Sequence, residues 1–410
     1  MNQVSDRLWG LAQEPEGPLV AYLDSFAKAL DAEGFKRSVI GLQIRIVAYF
    51  SRWLQSKEIA VEAMTDVDVK LFLGERVQPS IVRQEGAATL RRFVEFLRRQ
   101  GICPTPEEPG VTTAIQQIVA EYAEYLRYDR CLSPSTLSLY CPFAEAFLSE
   151  RFGTGPVALD ALRGVDVIEF IRRQAAHSSP ARGKAVTIAL RSFLRYVRYR
   201  GDTQFDLAST VPTLPNWSMT AIPRAIAPDH LRAVLAGCRR DTSIGCRDYA
   251  ILMLLARLGL RSAEIVTLTL DVDWEAGSIA VLGKGKQPAV LPLPADVGEA
   301  IAQYLQWARP VCRSRALFLR AIAPIRELGA HETIRTIVDA AIRRAGVETS
   351  HHGAHQFRHA LAVDMLRQGA TLTEIGSLLR HRHPKTTGIY AKVDFDALRP
   401  LSQPWPEGAP

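Results

Sequence analysis

No stretch of about 18 consecutive apolar residues occurs in this 410-residue chain, so no segment is expected to cross a membrane as a helix. The N-terminus lacks a basic region followed by an apolar run, which argues against a secretory signal. Cysteines are few and scattered, at 103, 131, 141, 238, 246 and 312, and no CxxC pair occurs. That spacing argues against structural zinc and a dithiol redox motif, and reduced thiols in a cytoplasm are the simple reading. No GxxxxGK[ST] loop is present to cradle a nucleotide, and no clustered metal-ligand spacing is found. His351 and His352 beside His355 are read as a loop before a helix rather than a metal site. No metal and no cofactor are expected.

Hydrophobic residues make up 47% of the chain, enough for two or three separate cores. The formal net charge of +7 permits nucleic-acid binding without proving it. The first two hundred residues read as helical, and a pattern repeats in them. LRRFVEFLRRQGI (90–102) returns as LRSFLRYVRYRGD (190–202), and TDVDVKLFL (65–73) as RGVDVIEFI (163–171). Further upstream, VAYFSRWL (47–54) resembles AEAFLSERF (144–152). Three segments in the same order suggest two copies of one small helical domain. The copies are separated by CPTPEEPG (103–110), and a second break runs through VPTLPNWSMTAIP (211–223). The expected division is an N-terminal helical domain at 1–108, a second one at 112–202, a linker at 203–224, a mixed domain at 225–400 and a tail at 401–410.

In the third region, DYAILMLLARLGL (248–260) reads as a buried helix ending near Gly259, with another helix from about Ser262. IAVL (279–282) and AVLPL (289–293) read as strands of a hairpin joined at GKGKQP. Helices are expected from there to about residue 400. Thr371 and Glu374 fit a capping box, and Pro384 is expected to open a last helix that carries Tyr390. The fold class is therefore mainly α with a small antiparallel sheet.

Charge concentrates at residues 182–200, which hold Arg182, Lys184, Arg191, Arg195, Arg198 and Arg200 and no acid. Arg191, Arg195 and Arg198 fall at i, i+4 and i+7 on one helical face, with Phe193, Leu194 and Val197 free to pack on the other. Such a stripe, with Lys184, can neutralise backbone phosphates; the competing reading is a solvated face. Arg91, Arg92, Arg98 and Arg99 make a weaker case of the same kind.

Four separated pieces of the third region carry the chemistry. They are LGLRSAEI (258–265), LGKGKQPAVLPL (282–293), HQFRH (355–359) and LLRHRHPKTTGIY (378–390). Each is weak alone, but their order resembles the tyrosine recombinase, or phage integrase, family. By that resemblance Arg261 matches the first catalytic arginine, Lys284 the hairpin lysine, His355 and Arg358 the HxxR pair, His381 the third basic position and Tyr390 the nucleophile. Residues 112–202 resemble the core-binding domain, and the first copy looks like an added domain of similar type. Two departures stand out. Arg380 occupies a position commonly filled by Gly, and Gln287-Pro288 replaces the usual charged residues after the lysine.

The chemistry asks for these residue types. Two arginines offer planar donors to the non-bridging oxygens of a phosphodiester, where charge grows in the transition state. A tyrosine hydroxyl near pKa 10 is a poor nucleophile at neutral pH and needs help. The resemblance implies that His355 assists that proton transfer. Lys284 is the candidate acid for the leaving 5′ oxygen, and His381 is expected to hydrogen-bond the phosphate. Glu264, three residues after Arg261, either orients that arginine or the hairpin, or is an ordinary surface acid.

The implied activity is site-specific DNA recombination through a covalent 3′-phosphotyrosine, on double-stranded DNA with specific half-sites. The implied assembly is a homo-tetramer on two DNA sites, or a hetero-assembly with related recombinases. The alternatives are a type IB topoisomerase-like relaxing enzyme, an inactive DNA-binding relative, or a helical scaffold. The final residues, with Phe395, Leu398, Leu401 and Trp405 between Pro400, Pro404 and Pro406, are too short for a core of their own. The resemblance implies that 394–405 docks on a neighbouring protomer, with Leu398 and Leu401 as anchors.

Overall fold

The computed structural model describes residues 8–11, 13–75, 80–104, 113–176, 179–213, 222–283, 287–329, 331–349, 353–394 and 398–401. The chain divides into two compact units, Met1–Pro104 with Ala221–Pro410, and Thr105–Thr220. The protein is mainly helical with one three-stranded antiparallel sheet. Among the described residues, no helix is long and apolar enough to cross a membrane.

The first bundle consists of α1 (Leu23–Ala32), α2 (Arg37–Ser56), α3 (Asp66–Gly74) and α4 (Ser80–Arg99). Phe26 of α1 packs edge-on against Phe93 of α4 with ring centres 4.9 Å apart, and Phe50 of α2 meets Phe72 of α3 at 5.1 Å. The second bundle repeats this order with α5 (Ala114–Tyr128), α6 (Pro134–Phe152), α7 (Gly164–Ala176) and α8 (Pro180–Arg200). Its aromatic pairs fall on the same elements. Tyr122 of α5 meets Phe193 of α8 edge-on at 5.2 Å, and Phe147 of α6 meets Phe170 of α7 at 5.3 Å. A short 3-10 turn precedes the third helix in each, at Val61–Ala63 and Leu159–Ala161. The entry to that helix is fastened alike, by Asp68 accepting from the Thr65 N–H and Asp166 from the Arg163 N–H.

The segment from 203 is not a free linker throughout. Leu207, Ala208 and Val211 are buried in the second bundle's core, because that core needs an apolar lid beyond the end of α8. Residues 214–221 of the expected break lie outside the described residues.

The mixed region begins with α9 (Pro228–Ala236) and α10 (Ser243–Leu258). Helix α10 is apolar almost all round and runs through the core, with Ile251, Leu252, Leu254 and Leu255 each fully buried. Each such side chain contributes roughly 1.5–3 kcal/mol by leaving water. α10 stops at Gly259, whose φ of +55° and close neighbours exclude a side chain: a Cβ there would lie 2.8 Å from Leu379 Cδ2. The short α11 (Ser262–Val266) follows at once. Strands β1 (Val272–Asp273), β2 (Ser278–Leu282) and β3 (Pro288–Pro292) form the sheet in that order, with Ile279 opposite Leu291 and Val281 opposite Ala289. The hairpin was legible in advance; β1, two residues long, was not. Ile279, Val281 and Leu291 face the core by strand alternation.

Helix α12 (Ala295–Gln303) continues into a π-helical turn at Tyr304–Ala308. Residues 309–329 then run irregularly, where the sequence leads one to expect helix. Tyr304 accounts for part of this: its hydroxyl accepts from the Leu319 N–H and so holds a loop rather than a helix. Helices α13 (His331–Arg344), α14 (His355–Arg367), α15 (Leu372–Leu378) and α16 (Pro384–Thr387) complete the region. The helix opened by Pro384 is only one turn long. Tyr390 sits in the 3-10 helix Gly388–Val393 that follows, not on an α-helix. The first bundle touches this region where the Ile325 N–H donates to Glu33 O at 2.8 Å.

Candidate active site

Arg358 organises the site. It stands one turn into α14, only 4% exposed, and its guanidinium donates to Gly259 O and Leu379 O. Those carbonyls belong to two distant corners, the end of α10 and the end of α15. The residues that follow them are Leu260-Arg261 and Arg380-His381. One buried guanidinium therefore clips together the segments that carry three of the basic groups. Burial, then the charges of Arg261 and Arg380, pushes its pKa down to about 10, which leaves it protonated at neutral pH.

Arg261 caps α11 and is partly exposed. Its Nη1 donates to Glu264 Oε1 at 2.7 Å and its backbone N–H to Glu264 Oε2 at 2.9 Å. Glu264 is not a surface acid: it is 1% exposed and takes a third donor, Arg380 Nη2, at 2.8 Å. Burial raises its pKa, but the Arg261 N–H, the Arg380 charge and the Arg261 side chain together outweigh burial, and the carboxylate is held ionised.

The last turn of α15 closes in a way the sequence pattern left open. The His381 N–H bonds to Gly376 O at 2.9 Å and the Arg380 N–H to Ser377 O at 3.0 Å, the paired bonds of a Schellman motif. The residue after the cap must then be left-handed, and Arg380 adopts φ +54°. Glycine does so freely; for an arginine the conformation costs about 1 kcal/mol. The motif turns His381 back toward the site, where its Nδ1 lies 2.8 Å from Thr387 Oγ1 and its ring stacks on Tyr390 at 6.5 Å.

Tyr390 is 2% exposed. Its hydroxyl pairs with His359 Nδ1 at 3.0 Å. Burial raises the hydroxyl pKa, partly offset by Arg358, so the phenol is neutral at pH 7. His359 is the functional candidate that sequence reading passed over. The signal was present, since HQFRH places it four residues after His355 on one helical face, with ring centres 6.4 Å apart. Burial, His355 and Arg358 hold the His359 pKa down to about 4. His381 is lowered to a similar value by burial and then by Arg358 and Arg261. His355 is also lowered, by desolvation and then by Arg358 and Arg261. All three imidazoles are therefore neutral at pH 7 and able to accept a proton.

Beside this cluster lies a cleft of about 380 Å³ lined by Arg261, Gln287, Arg380, His381, Arg382 and His383 among others. Gly283 and Pro288 of the hairpin form its other wall. Lys284 itself, like His351 and His352, lies outside the described residues. The described residues contain no group of three or more metal-ligating side chains.

In the second bundle, α8 presents its basic residues unequally. Lys184 and Arg195 are exposed. Arg191 instead donates to Val211 O at 3.0 Å, and Arg198 pairs with Asp206 at 3.3 Å. Arg200 pairs with Glu121 and Asp202. The acids missing from the run itself thus arrive from other segments. In the first bundle Arg92 bonds Gln43, Arg98 pairs with Asp66 and Arg99 with Glu95.

The model of the phage integrase family matches residues 224–397. A Sinorhizobium fredii (strain NBRC 101917 / NGR234) protein named as an integrase/recombinase, y4rA, is 46% identical over 400 residues, covering 97% of each chain. Tyrosine recombinase XerC of Staphylococcus haemolyticus (strain JCSC1435) is 34% identical over 182 residues, covering 44% of this chain and 60% of its own. Among solved structures, the XerH site-specific recombinase in a post-cleavage complex with palindromic difH shares the fold, with a TM-score of 0.57 and 17% identity. That match covers 71% of this chain and 97% of XerH. With a relative this similar along nearly its whole length, the chain belongs to the phage integrase family of tyrosine recombinases.

Proposed function

We propose that the protein is a site-specific DNA recombinase that cuts and rejoins strands through a covalent link between Tyr390 and a 3′-phosphate, in integration, excision or transposition of a mobile element. The observation that carries this reading is the buried clip made by Arg358. It draws together the segments that carry Arg261 and His381, which line one cationic cleft, and beside that cleft a buried tyrosine hydroxyl pairs with a neutral imidazole.

The phosphodiester lies in the cleft, with its non-bridging oxygens toward Arg261 and His381 and the buried charge of Arg358 behind them. The Tyr390 oxygen attacks phosphorus as the bond to the 5′ oxygen breaks. The hydroxyl proton passes to an imidazole. The 3.0 Å contact favours His359 for that role, with His355 one turn away. Lys284 supplies a proton to the leaving 5′ oxygen. The reverse sequence, with a 5′ hydroxyl attacking the phosphotyrosine, reseals the strand. Bond energy is kept in the phosphotyrosine, so no nucleotide is consumed.

Lys184 and Arg195, with Arg191 and Arg198 beside them, serve duplex DNA as backbone contacts on α8. The division at 1–108, 112–202 and 225–400 stands as our reading, with the first two segments as duplicates. The repeated helix order and aromatic pairings support that reading. The partners we propose are half-site DNA and further copies of the chain or of related recombinases, up to four on two duplexes. Of the tail anchors, Leu398 is 41% exposed; Phe395, Trp405 and the Leu401 side chain lie outside the described residues.

A nicked duplex, from which the cleaved fragment diffuses away, tests the reading. The parent protein accumulates a protein–DNA adduct, and Tyr390→Phe binds the same duplex and forms none. An adduct formed by the Phe variant would place the nucleophile elsewhere.

A further inference from the structure

We propose that Arg380 is a positioning residue of the strand-cleavage site, holding the Glu264 carboxylate from one oxygen while the Arg261 side chain holds it from the other. The inference rests on the recombinase reading above and concerns a residue that the pattern of catalytic positions does not include.

Three observations converge on it. Arg380 takes the left-handed position of a Schellman motif, where glycine is preferred, so the backbone alone gives no reason for an arginine. Its side chain, 15% exposed, reaches across to a segment 116 residues earlier and donates Nη2 to Glu264 Oε2 at 2.8 Å. A second hydrogen bond, from Nη1 to Leu378 O at 3.1 Å, fixes the plane of the guanidinium. Finally, Arg261 and Arg380 both line the cleft.

The consequence for Arg261 is geometric. Glu264 is a short, buried acid with two oxygens. Oε1 receives Arg261 Nη1; Oε2 receives the Arg261 N–H and Arg380 Nη2. Arg380 adds a second charge-assisted bond that a rotation of the carboxylate plane would break, and one anchored outside the Arg261 segment, so the Arg261 guanidinium is held more firmly in one orientation toward the cleft.

The consequence for charge is equally direct. Arg261, Arg358 and Arg380 place three guanidiniums against the single carboxylate of Glu264. His355 and His381 are held neutral, their pKa lowered by burial first and then by Arg358 and Arg261. The cluster keeps an excess of positive charge, which a phosphate would neutralise. The Nε of Arg380 is buried without a hydrogen-bond partner among the described residues, a donor in surplus.

The test uses the full chain and two variants, Arg380→Gly and Arg380→Lys. Arg380→Gly folds, because glycine is the preferred residue at that turn, and circular dichroism checks it. On the nicked duplex it forms adduct roughly ten- to a hundredfold more slowly than the parent, as expected when a catalytic group loses its alignment. Arg380→Lys recovers part of the rate. A duplex with an uncharged methylphosphonate at the scissile position needs guanidiniums less, and there the gap between parent and Arg380→Gly narrows. A merely structural arginine would slow both substrates alike, so an equal loss on both, or parental rates for Arg380→Gly, overturns the proposal.

Inorganic phosphate gives a readout independent of DNA cleavage. At constant ionic strength it raises the melting temperature of the parent more than that of Arg380→Gly. Equal shifts overturn the proposal. A parent protein that forms no adduct but shows the unequal phosphate shift would sink the recombinase reading and leave the role of Arg380 in the cleft standing.

Discussion

His359 shows how much a single contact decides. By spacing it is a second imidazole one turn from His355, and only the packing of the 3-10 helix against α14 brings the Tyr390 hydroxyl to its Nδ1. Its environment also predicts a pH dependence. His359 and His381 are held at about 4 by burial first, then by neighbours that include His355, Arg358 and Arg261, against an ordinary value of 6.5. Between about pH 6.5 and pH 4 the unfolded chain binds more protons than the folded one, so stability rises with pH across that window. It is fully present above 6.5 and is lost as the pH falls toward 4. Urea unfolding is therefore expected to show a lower midpoint at pH 5 than at pH 7.5. His359→Gln, which cannot titrate, should reduce that difference. A variant with the same pH response as the parent would show that His359 does not contribute to it.

At the scale of elements, α8 separates what helical periodicity joins. Arg191, Arg195 and Arg198 share a face by spacing, yet Arg191 is committed to Val211 O and Arg198 to Asp206, while Arg195 points into solvent. Arg195→Glu is expected to weaken DNA binding and to flatten the slope of log affinity against log salt by roughly one, the loss of one phosphate contact. Arg198→Ala should change the slope less, because Asp206 already offsets that charge. If Arg195→Glu leaves the slope unchanged, the stripe is a solvated face. The elements around the candidate site were more legible: the Thr371–Glu374 capping box and the 278–292 hairpin formed where their residues indicated. The helix expected to carry Tyr390 did not. Gly388 follows a single turn begun at Pro384, and the chain tightens into 3-10 geometry.

For the whole molecule, the two bundles share helix order, turn and aromatic pairing, yet Arg92, Arg98 and Arg99 of the first bundle are engaged internally. Its contact with the mixed region is local: Glu33 O accepts from Ile325, and Gly34, at φ +82°, lets the chains approach where a Cβ would lie 2.6 Å from Ile325 Cγ1. The cores are separate hydrophobic clusters. Removing 1–108 is therefore expected to leave 112–410 folded and able to form the adduct, with a shorter footprint and weaker binding. Circular dichroism, the nicked-duplex assay and nuclease footprinting check the three parts. A soluble fragment with full-length footprint and affinity would show that the first bundle does not touch DNA.

Local chemistry in the sequence determined the helix-rich architecture, the hairpin, the duplicated pattern and the order of the basic and tyrosine positions. Periodicity, caps and turn residues act over a few neighbours and can be read from them. What Arg358, Glu264, Arg380 and His359 do was decided by tertiary structure, because each acts across a long gap in the chain. Arg358 reaches carbonyls 99 and 21 residues away, Arg380 a carboxylate 116 away, and His359 a hydroxyl 31 away. Spacing names the residues able to make such bonds. Only the fold, by burying Glu264 and by forcing Arg380 into a left-handed turn, selects which of them meet.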